Sequence, residues 1–111
     1  MILLTISYRL QAHCITEYDR IWSCEVLPLI REYGFNLLGI WRSVVGPAGE
    51  YLELWQFESM AEFEKRWQAF MQDERLLAAF KKTGPLVLDE QLKIFEPIHT
   101  DLLKTGSYEG R

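Results

Sequence analysis

The sequence predicts an α+β domain of the ferredoxin-like kind, ordered βαββαβ, with a four-stranded antiparallel sheet and both helices on one face. Three observations predict it. Ile2–Leu10 alternates apolar and polar side chains at the period of a strand. Two later stretches space their apolar residues by threes and fours, the period of a helix. Gly46-Pro47-Ala48-Gly49 separates two aromatic-rich runs and reads as the turn of a hairpin. The chain has 111 residues, 49% hydrophobic and 14% aromatic, which suits one domain with a substantial core and argues against disorder.

In the first strand, Ile2, Leu4, Ile6, Tyr8 and Leu10 share one face, and Thr5, Ser7 and Arg9 the other. Thr16-Glu17 then supplies a capping hydroxyl and an acidic first turn. The helix it opens buries Tyr18, Ile21, Trp22, Val26, Leu29, Ile30 and Tyr33, and Gly34 stops it. Pro28 deprives the Cys24 carbonyl of its partner, so a kink is expected there, but no termination, because the apolar stripe continues. Phe35 to Val45 is apolar at both parities and predicts a strand covered on two faces. Tyr51 to Phe57 returns as the next strand. Ser59-Met60-Ala61-Glu62 has capping-box spacing and opens a second helix, buried through Met60, Phe63, Trp67, Phe70 and Met71. Asp73 recaps the chain for a continuation through Leu76, Leu77 and Phe80, which Gly84-Pro85 ends. Gln91–Phe95 is a last short strand. The domain is expected to span residues 1–97, with residues 98–111 as a loose tail.

Composition excludes several roles. With 12 Lys and Arg against 16 Asp and Glu, the formal charge is −4, and no basic run offers a footprint for nucleic acid. No apolar stretch approaches the roughly 20 residues that span a bilayer, and the N-terminus has no secretory pattern. Cys14 and Cys24 form no CxxC pair and read as reduced, packed thiols, so a cytoplasmic setting is expected. The two histidines, His13 and His99, belong to no HxxE or HxH spacing; neither a protein-made metal site nor any cofactor is expected.

Two helices cover one side of the sheet, yet the hairpin strands carry Trp41, Tyr51, Trp55 and Phe57 opposite a second apolar set. Parity alone leaves open which set meets the helices. The uniformly apolar even face of the first strand fits the helices and leaves Thr5, Ser7 and Arg9 to the other side. Left bare, that side would expose several hundred Å² of apolar surface, more than monomers usually tolerate. At about 25 cal/mol per Å², burial against a second copy is favourable before association entropy is subtracted. A two-fold homodimer joined sheet to sheet is therefore expected. With Trp55 placed at that interface, Trp55→Glu is expected to dissociate or aggregate the protein.

At Gly39-Ile40-Trp41-Arg42-Ser43-Val44-Val45-Gly46-Pro47, Leu54-Trp55-Gln56-Phe57-Glu58-Ser59 and Arg66, the chain resembles the NIPSNAP family. The element order agrees over roughly residues 1–97. The resemblance implies membership of the dimeric α/β-barrel superfamily: a homodimer around two facing sheets, with a pocket between sheet and helices. It implies no settled activity. The family often has Asn where Gly49 stands and His where Glu53 stands.

Candidate chemistry is sparse. His13, just after the first strand, is a candidate general base, set against a plain loop histidine. Glu53 and Arg9 have odd parity on strands expected to be neighbours, so a structural ion pair is favoured; an unpaired, desolvated Glu53 would instead be a base. Tyr8, Arg9, Trp41, Arg42, Tyr51 and Trp55 are candidate ligand contacts, the indoles for a planar molecule and Arg42 for an anion. Three functions follow. The favoured one is an apolar-ligand binding or assembly module of unassigned activity. The alternative is a cofactor-independent monooxygenase or isomerase acting on a small aromatic substrate. A haem binder is weaker: relatives that degrade haem resemble users of a strand Asn with a helix Trp and His, and only Trp67 is present.

Overall fold

The computed structural model describes residues 1–99. Its strands are β1 (Ile2–Leu10), β2 (Asn36–Arg42), β3 (Glu50–Phe57) and β4 (Val87–Phe95), in the spatial order β2-β3-β1-β4 and antiparallel throughout. Helices α1 (Ile15–Ile21) and α2 (Leu27–Tyr33) connect β1 to β2, and α3 (Met60–Met71) and α4 (Glu74–Thr83) connect β3 to β4. This is the expected ferredoxin-like α+β arrangement. The 98–111 tail falls outside the described residues except for its first two positions.

Between α1 and α2 the chain does not break. Trp22–Val26 forms a π-helical turn, in which the Leu27 N–H reaches back to the Trp22 carbonyl. The widened turn lies immediately before Pro28, the residue that cannot donate, so the helix carries the proline by changing its hydrogen-bond step. Gly34 ends α2 at φ +70°, the left-handed conformation that suits glycine. The Ser59 hydroxyl accepts from the Glu62 N–H, and the Asp73 carboxylate from the Arg75 N–H, so these two expected caps form, whereas Thr16 does not cap: it lies inside α1, whose capping residue Cys14 makes no side-chain bond.

Two strand boundaries differ from expectation by more than one residue. β2 stops at Arg42, three residues early, because the Ser43 N–H bonds to the Glu50 carbonyl and its hydroxyl to the Pro47 carbonyl, closing the loop. Val44 and Val45 are left fully in solvent. Conversely β4 begins at Val87, four residues before the expected Gln91. A register shift opposite Ser7–Arg9, with Asp89 at φ +52°, breaks the alternation that would have announced it.

The register decides the faces. Tyr8 lies opposite Tyr51, Ile6 opposite Glu53, Leu4 opposite Trp55 and Ile2 opposite Phe57. The even face of β1 therefore packs against the helices, as expected, together with Tyr51, Glu53, Trp55 and Phe57. Trp55 is 3% exposed within one chain, so it belongs to the core and not to a subunit interface; Trp55→Glu would disrupt the core. Phe35, Trp55, Phe57, Trp67 and Phe70 interlock edge to face, with Trp55 and Trp67 centroids 5.2 Å apart at 89°. The other face of the sheet carries Thr5, Ser7, Arg9, Trp41, Leu52 and Leu54, and no element of the described chain crosses it. There the Trp41 indole lies over Gly39, where an added Cβ would stand 2.5 Å from the ring.

Candidate functional site

A cavity of about 320 Å³ lies between the helix-facing side of the sheet and the helices. Tyr8, Glu53 and Trp55 line it from the strands, Tyr18 and Trp22 from the first helical segment, Trp67, Phe70 and Thr83 from α3 and α4. Its mouth is rimmed by the exposed residues Phe80, Gly84, Glu90 and Leu92.

Glu53 is the one carboxylate buried within it, at 5% exposure. Its Oε2 accepts from the Tyr8 hydroxyl at 2.6 Å and its Oε1 from the Trp55 indole N–H at 3.0 Å. The Tyr18 hydroxyl lies 2.7 Å from that of Tyr8. Burial pushes the Glu53 carboxyl above its ordinary value, partly opposed by hydrogen bonds from Tyr8 and Trp55, while the Glu90 charge pushes the same way as burial. Tyr8 and Tyr18 are held protonated by burial and by the neighbouring Glu53 charge. An acidic oxygen that faces an apolar hollow, with no cation beside it among the described residues and neutral donors fixing it, is equipped to accept a proton or a hydrogen bond from a guest.

The expected Arg9–Glu53 pair does not form. Odd positions of β3 face even positions of β1, so Arg9 stands opposite Glu50 and on the other side of the sheet from Glu53. Arg9 instead pairs with Asp89 in solvent. The remaining ligand candidates gather elsewhere: Tyr8, Arg9, Trp41, Arg42 and Tyr51 line a second hollow, of about 490 Å³. Tyr51 stacks on Tyr8 with centroids 5.3 Å apart, and its hydroxyl bonds to Asp19 at 2.5 Å. Arg42 bonds to the same Asp19 at 2.8 Å and lies exposed. Trp41, 51% exposed, lies on the open face. Exposed His13 sits in the short turn Ala12–Cys14 and does not line the cavity; nor does His99. Tyr8, Glu53 and Trp55 are the expected residues that meet in the sheet–helix cavity, and Tyr8 borders both hollows. Tyr18 was missed as a site residue; its signal was a hydroxyl on an otherwise apolar helical stripe, which must find a partner once buried.

An antiparallel sheet backed by helices on one face, with an apolar cavity and a lone carboxylate between the layers, defines a ferredoxin-like α+β protein with a small-molecule-sized hollow. The chain belongs to the NIPSNAP family, whose sequence profile matches residues 3–100. No curated protein sequence matches it. Among solved structures it is similar to a NIPSNAP family protein of unknown function from Agrobacterium tumefaciens, with TM-score 0.81 and 27% identity over 87% of each chain. A NIPSNAP domain protein from Burkholderia xenovorans superposes with TM-score 0.80 and 20% identity, covering 87% of this chain and 94% of that one. The fold also matches an antibiotic biosynthesis monooxygenase at TM-score 0.70 and 9% identity, over 89% of this chain and 100% of that one. No helix among the described residues is long and apolar enough to cross a membrane.

Proposed function

We propose that this NIPSNAP protein is a homodimeric α/β barrel that binds a small aromatic molecule in the sheet–helix cavity, with Glu53 as acceptor in a cofactor-independent proton transfer. The observation that carries the proposal is the cation-free carboxylate of Glu53 inside an apolar hollow. A merely structural carboxylate in a core is usually met by an arginine or lysine, because an uncompensated buried charge is costly. Here neutral donors orient it, and burial keeps its proton affinity above the ordinary value. Proton abstraction from an acidic C–H or O–H is the step that isomerases and cofactor-free oxygenases share. The likeness of fold to a monooxygenase is consistent with that chemistry.

The dimer rests on the open sheet face, where Trp41, Leu52 and Leu54 lie beside Thr5 and Ser7 without a covering layer. The thiols are not packed as expected, since Cys24 is exposed and Cys14 half-buried, but unpaired thiols fit a cytoplasmic setting.

The test is a titration of the purified full chain with 2-naphthol, a bicyclic phenol of suitable size. Saturable quenching of tryptophan emission, from Trp55 and Trp67 in the wall, and a raised Tm are expected. Gly84→Trp narrows the mouth: an added Cβ would meet nothing within 4 Å beyond its chain neighbours, and its helical conformation directly before Pro85 predicts a somewhat lower Tm. With a native circular dichroism spectrum as control, that variant should lose the response. Equal quenching of both proteins would sink the proposal.

A further inference from the structure

The three hydroxyl and carboxyl groups at the cavity wall form a chain whose proton positions can be counted. A phenol carries one hydrogen. With Glu53 ionised, the Tyr8 hydrogen is committed to Oε2 at 2.6 Å. The Tyr8 oxygen must then be the acceptor in its 2.7 Å contact with Tyr18, which commits the Tyr18 hydrogen as well. The chain ends on the Tyr18 oxygen, which offers lone pairs and has no hydrogen left to give. No residue among those described donates a hydrogen bond to it.

We propose that Tyr18 is the group that meets the ligand, that Tyr8 relays between it and Glu53, and that the ligand class is therefore a small aromatic bearing a hydroxyl donor, a phenol or enol. This deepens the function proposed above and rests on it. The relay balances. The ligand O–H breaks as its proton joins the Tyr18 oxygen, Tyr18 passes its own hydrogen to Tyr8, and Tyr8 passes its hydrogen to Glu53 Oε2. The outcome is a neutral Glu53 and a ligand oxyanion held by the Tyr18 hydroxyl, which now donates. No electron changes hands and no co-reactant is needed.

The same counting gives the pocket two faces. With Glu53 protonated, every hydrogen in the chain points outward, and Tyr18 presents a donor; with Glu53 charged, it presents an acceptor. The groups that face Glu53 are Tyr8 from β1, Tyr18 from α1, Trp22 from the π turn, Trp55 from β3 and Glu90 from β4. Glu90 is the charged member of that set, and α3 and α4 contribute Trp67, Phe70, Leu76 and Thr83 to the cavity, none of which titrates.

The experiment compares 2-naphthol with 2-methoxynaphthalene, which has the same rings and no hydrogen to donate, as a function of pH below the ionisation of naphthol. Wild type with Glu53 charged is expected to favour the naphthol by about tenfold, the worth of one hydrogen bond to a buried acceptor, and to lose that preference as pH falls and the chain reverses. Tyr18→Phe should abolish the preference at every pH, so that the ratio of the two affinities no longer varies with pH. Tyr8→Phe and Glu53→Gln should retain binding of both rings but flatten the pH profile, a readout that loss of packing alone would not produce. If Tyr18→Phe keeps the wild-type preference, the ligand meets Glu53 directly and the relay is overturned, although the cavity remains a binding site. If neither compound binds to folded wild type, both the relay and the function proposed above fail.

Discussion

At the scale of single residues, Glu53 is where energy and chemistry conflict. Its folded-state proton affinity is raised by burial, so the native state holds more protons than the unfolded one between the ordinary value of 4.5 and the raised one. Stability therefore falls as pH rises through that window and levels off above it. Glu53→Gln, which keeps the shape and cannot ionise, should remove this decline; denaturant melts of both proteins across acidic to neutral pH check it, and parallel curves would refute it. Glu53 was legible as a candidate in the sequence, but its partner was not. Parity counting placed Arg9 and Glu53 together because both numbers are odd, whereas the observed register pairs odd with even and sends them to opposite faces.

At the scale of elements, the signals that proved readable were local. The alternation of β1, the caps at Ser59 and Asp73, and the stop at Gly34 all lie within a few residues of the structure they dictate. What escaped depended on distant partners: the early end of β2, set by the Ser43 contacts to Glu50 and Pro47, and the start of β4, hidden by the shifted register at Asp89. Gly49 joins the two kinds. It sits at φ +80°, its carbonyl accepts from the Leu10 N–H at 2.8 Å, and an added Cβ would fall 2.1 Å from the Leu10 carbonyl oxygen. Gly49→Ala should thus lose about 2 kcal/mol or more, a fall in Tm of roughly 10 °C, by combining backbone strain with a clash against main chain. An unchanged Tm would mean that the hairpin end can move away from β1.

At the scale of the molecule, the sheet separates two environments. One side holds the aromatic core and the cavity; the other presents Trp41 and Leu52, 51% and 43% exposed. Leu52→Asp should leave the core and the Glu53 site intact while splitting the proposed dimer, with light scattering after gel filtration giving half the wild-type mass. A mutant mass equal to the wild-type mass would remove this face from the interface. The need for a covering layer was legible from the sequence, since two helices cannot shield two sides. Assigning Trp55 to the bare side was not sound, because only the pairing of Leu4 with Trp55 fixes which way that indole turns. One local irregularity also shapes how the molecule behaves in a crowd. Among the described residues β4 is an outermost strand, unpaired on one flank, and the register shift beside Asp89 interrupts the even spacing of its backbone groups. A stray extended peptide would meet two short, misaligned runs there instead of one long template, which makes this edge a poorer site for strand addition.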